Sequence, residues 1–458
     1  MKNIFFSVVA LAAPLCAQDY IPPKEPGVIA KLEQWKDWKF GLMVHWGPYS
    51  QWGVVESWSL CPEDEDWSQR KGPSSANYFE YKKAYEALQN TFNPTKFNPA
   101  LWADAAKAAG MKYIVFTTKH HDGFCMFDTA TTNYKITDPA TPYSKNANAN
   151  IAKAVFDTFR TKGFGIGAYF SKPDWHSENY WWPYFPPFNR RANYSLTKYP
   201  ERWNAFVSYT HQQIKELATN YGKIDILWLD GGWTRAPRED INIAEMAQIA
   251  RTQQPDMLIV DREVHNEFED YRTPEQKVPE AALPYPWETC MTMGDSWSYV
   301  PGDKYKSTTE LIHLLCKIVS RGGNFLLNIG PGPDGDFDPI AYSRLKEIGH
   351  WMNINGEAIH GSRHIEMEKS ADSPLLFTKG KNGAIYAILL QDEKNPALPD
   401  KITVPHKLFG KKPSTITLLG IKGQLKTQAE PNGGLTIIVP ENARKNPPCS
   451  HAWVFKLN

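Results

Sequence analysis

The sequence predicts a TIM-like (β/α) barrel followed by a smaller C-terminal all-β sandwich. Three observations lead there. A helix–glycine–strand unit recurs up to about residue 350, its strands are short continuous apolar runs, and the helices cease after Gly356. Continuous apolar runs mark strands buried on both faces, as in a parallel sheet covered by helices.

Asn98-Pro99 opens a helix over Ala100–Ala109, Gly110 ends it, and the strand Tyr113–Phe116 follows. The unit returns as Ile151–Lys162, Gly163 and Phe164–Phe170, then as Trp203–Asn220, Gly222 and Ile224–Leu229. Phe40–Val44, Met257–Val260 and Phe325–Ile329 supply further buried strands, with the amphipathic helix Thr308–Ser320 ahead of the last. Six or more such strands in roughly 330 residues favour a closed barrel over an open sheet. The first strand is not followed by the G-x-G-x-x-G turn that a dinucleotide fold needs there. Beyond Gly356, six β-prone runs (Leu375–Phe377, Ala384–Leu390, Ile402–Val404, Thr415–Leu419, Leu435–Val439 and Ala452–Phe455) are separated by Gly- and Asn-rich segments. Residues 18–355 are thus expected to form the barrel and residues 356–458 the sandwich, which carries no catalytic cluster.

Residues 1–17 read as a secretory signal: Lys2 gives a positive start, Ile4–Leu15 is almost wholly apolar, and cleavage is expected after Ala17. Leu15 makes a poor lipobox before Cys16, so lipid anchoring is disfavoured, and no later run is long enough to span a bilayer. The expectation is an exported protein, periplasmic or extracellular. Cys61, Cys125, Cys290, Cys316 and Cys449 are scattered without metal-ligand spacing and read as buried thiols. The 51 Lys and Arg nearly cancel the 50 Asp and Glu, which excludes the basic footprint of a nucleic-acid or anionic-membrane binder. The 17 Trp, 21 Tyr and 22 Phe fit either a large core rich in rings or a pocket walled with the flat apolar faces that sugars favour, and composition alone leaves both open.

Barrel chemistry sits where strands run out into loops. Those positions here are His45-Trp46-Gly47, Lys119-His120-His121-Asp122-Gly123, Tyr169 with Asp174-Trp175-His176 beyond, Asp230-Gly231-Gly232-Trp233, and Asp261-Arg262-Glu263. Five polar and aromatic strand ends on one rim exceed what loop capping needs. Asp230 closes an apolar strand, and Trp228 and Trp233 flank it in sequence. That setting suits a carboxylate attacking an anomeric carbon. A second carboxyl must protonate the leaving oxygen. The acidic, Pro-broken segment Glu267–Glu288 offers Glu275 first and Glu288 second.

Phe40-Gly41-Leu42-Met43-Val44-His45-Trp46-Gly47-Pro48-Tyr49-Ser50, Lys119-His120-His121-Asp122-Gly123-Phe124 and Leu227-Trp228-Leu229-Asp230-Gly231-Gly232-Trp233 resemble signatures of the α-L-fucosidases of glycoside hydrolase family twenty-nine. Asp261-Arg262, Tyr271-Arg272-Thr273-Pro274-Glu275 and Pro286-Trp287-Glu288-Thr289-Cys290 continue the resemblance across the barrel. It implies a retaining exo-hydrolase that removes terminal α-L-fucose from fucosylated oligosaccharides or glycoproteins through a covalent intermediate. It further implies Asp230 as nucleophile and hydroxyl contacts from His45, His120, His121 and Arg262. Trp46, Glu56, Trp58, Tyr169, Trp228 and Trp233 would line the pocket. The motifs look closer to the broad-specificity branch than to the one confined to branched α-1,3/4 linkages. Two-carboxylate hydrolysis needs no cofactor or metal.

Two alternatives stand beside it. His120, His121, Asp122 and Asp230 could ligate a metal in a barrel hydrolase. Adjacent histidines on one strand point to opposite faces, however, and share a metal only if the strand has ended before them. A non-catalytic fucose-binding protein would use the same aromatics and histidines without needing paired carboxylates. The aromatic segments Cys61–Lys83 and Asn179–Arg191 are expected on the outer rim.

Overall fold

The computed structural model of the chain describes residues 20–62, 70, 74–366, 375–405, 408, 413–431 and 433–458. The signal segment lies outside these residues, as do residues 63–69 and 71–73 of the expected rim loop. Helix α1 (Pro26–Trp38) leads into β1 (Phe40–Val44); α2 (Tyr78–Glu86) and α3 (Pro99–Ala108) precede β2 (Tyr113–Lys119). Then follow α4 (Ile151–Thr161), β3 (Gly165–Ser171), α5 (Pro200–Asn220), β4 (Ile226–Asp230), α6 (Ile243–Gln253) and β5 (Leu258–Asp261). β6 (Glu288–Thr292), α7 (Thr308–Ser320), β7 (Asn324–Ile329) and α8 (Pro339–Asn355) complete the first unit.

These seven strands pair in parallel, in the order β5-β4-β3-β2-β1-β7-β6, as a TIM-like sheet. Its edges, β5 and β6, are joined by irregular backbone. Residues 268–270 descend antiparallel beside β5, with Asp261 N–H donating to Phe268 and Asp270 N–H to Ile259. The chain then turns and climbs parallel to β6, where Gln276 N–H donates to the Cys290 carbonyl over 3.0 Å. Closure by an irregular segment leaves Glu275 bridged to mid-β6 at Cys290. β6 itself was not legible as a strand, because Glu288, Thr289 and Thr292 break its apolar character.

Side chains alternate across each strand, so every second residue enters the barrel. Met43, Val115, Trp228, Val260, Cys290 and Leu326 fill its interior, and α1 plugs the floor with Val28, Leu32 and Trp35. The Trp35 ring stacks on Tyr271 at 4.1 Å. The opposite strand faces pack under the outer helices in the larger core.

The C-terminal unit holds two antiparallel sheets. One, ordered β12-β15-β10-β9-β8, comprises β8 (Arg363–His364), β9 (Leu375–Lys379), β10 (Ile385–Leu390), β12 (Ile416–Leu418) and β15 (Ala452–Leu457). The other, ordered β11-β14-β13, comprises β11 (Lys401–Val404), β13 (Lys426–Ala429) and β14 (Leu435–Ile438). β8, β13 and the short helix α9 (Glu441–Lys445) were not foreseen, being too short and polar to signal. Trp351 of α8 donates its indole N–H to the Ala452 carbonyl at 2.9 Å, fastening this unit to the barrel. The cysteines Cys61, Cys125, Cys290, Cys316 and Cys449 are all buried.

Gly349 sets how closely α8 approaches α3, since a β-carbon there would lie 2.3 Å from the Ala108 carbonyl oxygen. Gly349→Ala is expected to push the helices apart and destabilise the fold by about 1–3 kcal/mol. A thermal melt checks this, and an unchanged midpoint contradicts the packing described.

Candidate active site

The strand alternation that fills the interior also aims the rim. His45 stands two residues beyond Met43, Asp230 two beyond Trp228, Arg262 two beyond Val260 and Asn328 two beyond Leu326. Each is the next inward position of its strand. Trp46, one place on from His45, therefore turns outward. It packs against Phe92, Phe97 and Trp102 and donates to the Gly332 carbonyl, so it stands behind the pocket and not in its wall.

The Asp230 carboxylate is the centre of the site. Its Oδ2 accepts from the Tyr169 hydroxyl at 2.6 Å and its Oδ1 from Arg262 Nη1 at 2.9 Å. Burial alone would raise its pKa, but Arg262, the nearby His121, the Tyr169 hydroxyl and the Gly231 N–H outweigh it. Together they hold the carboxyl well below the usual range, so Asp230 is ionised. Gly231 follows with φ of +82°, and a β-carbon there would lie 2.3 Å from Pro173 Cδ. Only glycine lets the chain turn away so tightly behind the carboxylate.

Arg262 also donates from Nη2 to Glu275, bridging the two carboxylates, and lies 3.3 Å from the exposed Glu263. Its guanidinium rests 5.4 Å from the Trp228 ring, which stacks on Tyr169 at 5.3 Å. The Glu275 side chain is 37% exposed, at the mouth.

Glu288 is placed elsewhere. It begins β6, four residues or roughly 13 Å below that strand's rim end at ~3.3 Å per residue. Its carboxylate accepts from Tyr113 Oη at 2.6 Å and Trp228 Nε1 at 3.2 Å. Burial pushes its pKa up to about 7. The structure thus brings Glu275 to Asp230 and leaves Glu288 as an anchor in the barrel floor.

Three histidines line one side. Asn328 donates from Nδ2 to the Trp297 carbonyl, which turns its Oδ1 toward His45 Nδ1 at 2.8 Å. That oxygen only accepts, so His45 carries its proton on Nδ1 and presents Nε2 as an acceptor. Burial lowers His45 and His121 to about 4 and His120 well below its ordinary value, leaving all three neutral near pH 7. His120 Nδ1 is 2.5 Å from Ser57 Oγ. Trp58, Trp175 and Trp233 enclose the His121 ring at 5.4, 5.1 and 5.0 Å. Trp175 belongs to the predicted rim, whereas Asn328, Ser57 and Trp297 were not foreseen. Asn328 alone left a signal, as the one polar residue of the predicted run Phe325–Ile329.

β2 ends at Lys119, so the alternation that would separate His120 from His121 no longer applies. Their rings lie 4.3 Å apart, and ligand atoms of His120, His121 and Asp230 fall within 4.8 Å of one another. The donor set has the composition of a metal site. Both Asp230 oxygens are already engaged, however, and the Arg262 guanidinium beside them would repel a cation.

Glu56 is buried, with φ of +34°, and its Oε1 accepts from Ser298 N–H at 2.8 Å. Burial pushes its pKa up to about 8, with Glu275 and Asp230 adding to the rise against the Ser298 hydrogen bonds. Across the interval from the ordinary carboxylate value to about 8, the unfolded chain loses this proton and the folded one keeps it. Wild type should therefore lose stability relative to Glu56→Gln as pH rises through that window. The wild-type melting temperature minus that of the variant should fall by roughly 3 °C between pH 4.5 and 8.5, and a constant difference contradicts the buried protonated carboxyl.

A family model described as alpha-L-fucosidase matches residues 7–357, and one described as alpha-L-fucosidase C-terminal domain matches residues 368–458. The chain is 30% identical over 446 residues to the tissue alpha-L-fucosidase of Homo sapiens, covering 92% of this chain and 87% of that one. Alpha-L-fucosidase isoenzyme 1 from Paenibacillus thiaminolyticus is similar in structure, with a TM-score of 0.76 at 29% identity, over 94% of this chain and 99% of that one. The Thermotoga maritima alpha-fucosidase, solved in complex with fucose, gives a TM-score of 0.72 at 25% identity, over 93% and 96% of the two chains. With both units matched along their length, the chain belongs to the alpha-L-fucosidase family of glycoside hydrolases.

Proposed function

We propose that the protein is an exo-acting, retaining α-L-fucosidase that removes terminal α-L-fucose from glycans in two steps. The observation that carries this is one buried guanidinium, Arg262, bridging an ionised Asp230 and a second carboxylate, Glu275. A single guanidinium spanning both favours the short separation of retaining pairs, about 5–5.5 Å, over the roughly 6.5–9.5 Å of inverting ones. In the first step an Asp230 oxygen bonds to the anomeric carbon, the glycosidic bond breaks, and Glu275 gives its proton to the departing oxygen. In the second, Glu275 takes a proton from water, whose oxygen bonds to the same carbon as the Asp230 ester breaks. Substrate entering the mouth separates Glu275 from Arg262, and the freed carboxylate takes up a proton from solvent before it meets the glycosidic oxygen.

The neutral imidazoles of His45, His120 and His121 and the protonated Glu56 suit an uncharged sugar, offering acceptors and a donor to its hydroxyls. Trp228, Trp58 and Trp233 give flat faces for the ring and the fucose methyl group. The motif resemblance supports the broad-specificity branch, and the apolar leader over residues 1–17 supports export.

Purified protein should release fucose from an aryl α-L-fucoside without added metal and remain active after chelator treatment. Loss in EDTA with recovery on zinc would favour the metal site at His120, His121 and Asp230. Tight fucose binding without turnover would favour a lectin. Release from 2-, 3-, 4- and 6-linked glycans tests the branch.

Azide separates the two carboxylates. Asp230→Gly should lower kcat by several orders of magnitude, and azide should restore part of it as the β-fucosyl azide. Glu275→Ala should slow cleavage of sugar leaving groups far more than of dinitrophenol, and show a burst before slow turnover. Azide should then give the α-fucosyl azide. The α product arising from Glu288→Ala, and not from Glu275→Ala, would reverse the assignment.

A further inference from the structure

Outside the site just described, one aromatic slot is built like a second sugar subsite. It encloses about 210 Å³, walled by Phe79, Trp181, Trp182 and Phe185, with Glu86 and His176 supplying polar groups. Glu86 Oε1 lies 2.6 Å from His176 Nδ1, and Lys82 pairs with the same oxygen. Trp182 leaves its buried indole N–H without an acceptor among the described residues. Flat apolar walls around charged hydrogen-bonding groups match the two sides of a pyranose, C–H faces and hydroxyl edges. The lip is equally unusual. Tyr184, Phe185 and Phe188, within five residues of one loop, are 77%, 53% and 86% exposed. Large aromatics held in water at this density mark a binding surface.

The slot adjoins the fucose pocket. Trp181 stacks face to face on Trp175 at 4.8 Å, and Trp175 lies 5.1 Å from His121 and 5.5 Å from Trp58. One pair of stacked indoles thus forms the wall between the two. The same loop sends Arg190 back over Trp58 at 4.9 Å and Trp233 at 5.2 Å. Whatever holds this loop still also steadies the mouth of the pocket.

We propose that this slot binds a neutral pyranose unit of the glycan from which fucose is removed, one or more residues away from the scissile bond; this rests on the fucosidase function proposed above. The enclosed volume suits a single ring and is too small for a protein segment with side chains. The polar groups at Glu86 and His176 favour a hydroxylated ligand over a lipid or aryl one.

Phe185→Ala and Phe79→Ala each truncate a wall residue that is about half exposed and lies outside the core. On an aryl α-L-fucoside, which has no glycan to fill the slot, both variants should keep kcat/KM within about twofold of wild type. On a fucosylated oligosaccharide of four or more sugars each should lose about tenfold, through KM. Calorimetric titration with the same oligosaccharide lacking fucose reads the slot without turnover, and its affinity should fall in parallel. Oligosaccharide kinetics and binding unchanged in both variants would overturn the subsite, as would equal losses on both substrates. A wild type that binds the fucose-free chain but cleaves no fucoside would overturn the proposed function and leave the subsite standing.

Discussion

The site depends on one buried cation. Arg262 is held between Asp230 and Glu275 with its guanidinium over Trp228, and Asp230 stays ionised in a buried setting because of it. Removing Arg262 would leave a desolvated carboxylate with a hydroxyl as its nearest donor, a cost of several kcal/mol. The chain spends much of its local structure on placing this side chain. β5 aims it inward, and the irregular segment that closes the barrel first descends beside β5 and then climbs beside β6 to bring Glu275 to the same guanidinium.

Support reaches from the floor upward. α1 seals the barrel with Trp35 on Tyr271, and Glu288 receives Tyr113 and Trp228. Trp228 then stacks under Tyr169, whose hydroxyl meets Asp230. The Asp230 carboxylate is thus oriented through rings and hydrogen bonds that begin a full strand length below it. Similar economy shows in the histidines, where Asn328 sets one tautomer and Ser57 meets another ring. A pocket of neutral imidazoles beside one carboxylate–arginine pair concentrates its charge at Asp230 and Arg262.

Much of this was legible in the sequence, because apolar runs flanked by helices specify buried parallel strands, and a strand's last residues specify the rim. Asp230 and Arg262 could be read on that basis alone. Trp46 shows the limit: it sits beside His45 in the chain, but period-two alternation sends it into the outer core. His120 and His121 show the converse, since the strand ends at Lys119 and both rings face the pocket. Glu288 looked like a loop residue among prolines, whereas pairing with β7 makes it the buried start of a strand. The segment 268–276 has no periodicity, and its hydrogen bonds are set by the edges of β5 and β6, which no local pattern encodes.

Mapping of a trapped intermediate tests the central claim most directly. The protein would be incubated with a 2-fluoro-fucosyl fluoride, quenched in acid and digested, and the modified peptide sequenced by mass spectrometry. A single 2-fluoro-fucosyl group esterified to Asp230 is the predicted result. The same label on Glu56 or Glu275, or turnover with release of the inverted anomer and no ester at all, would contradict it.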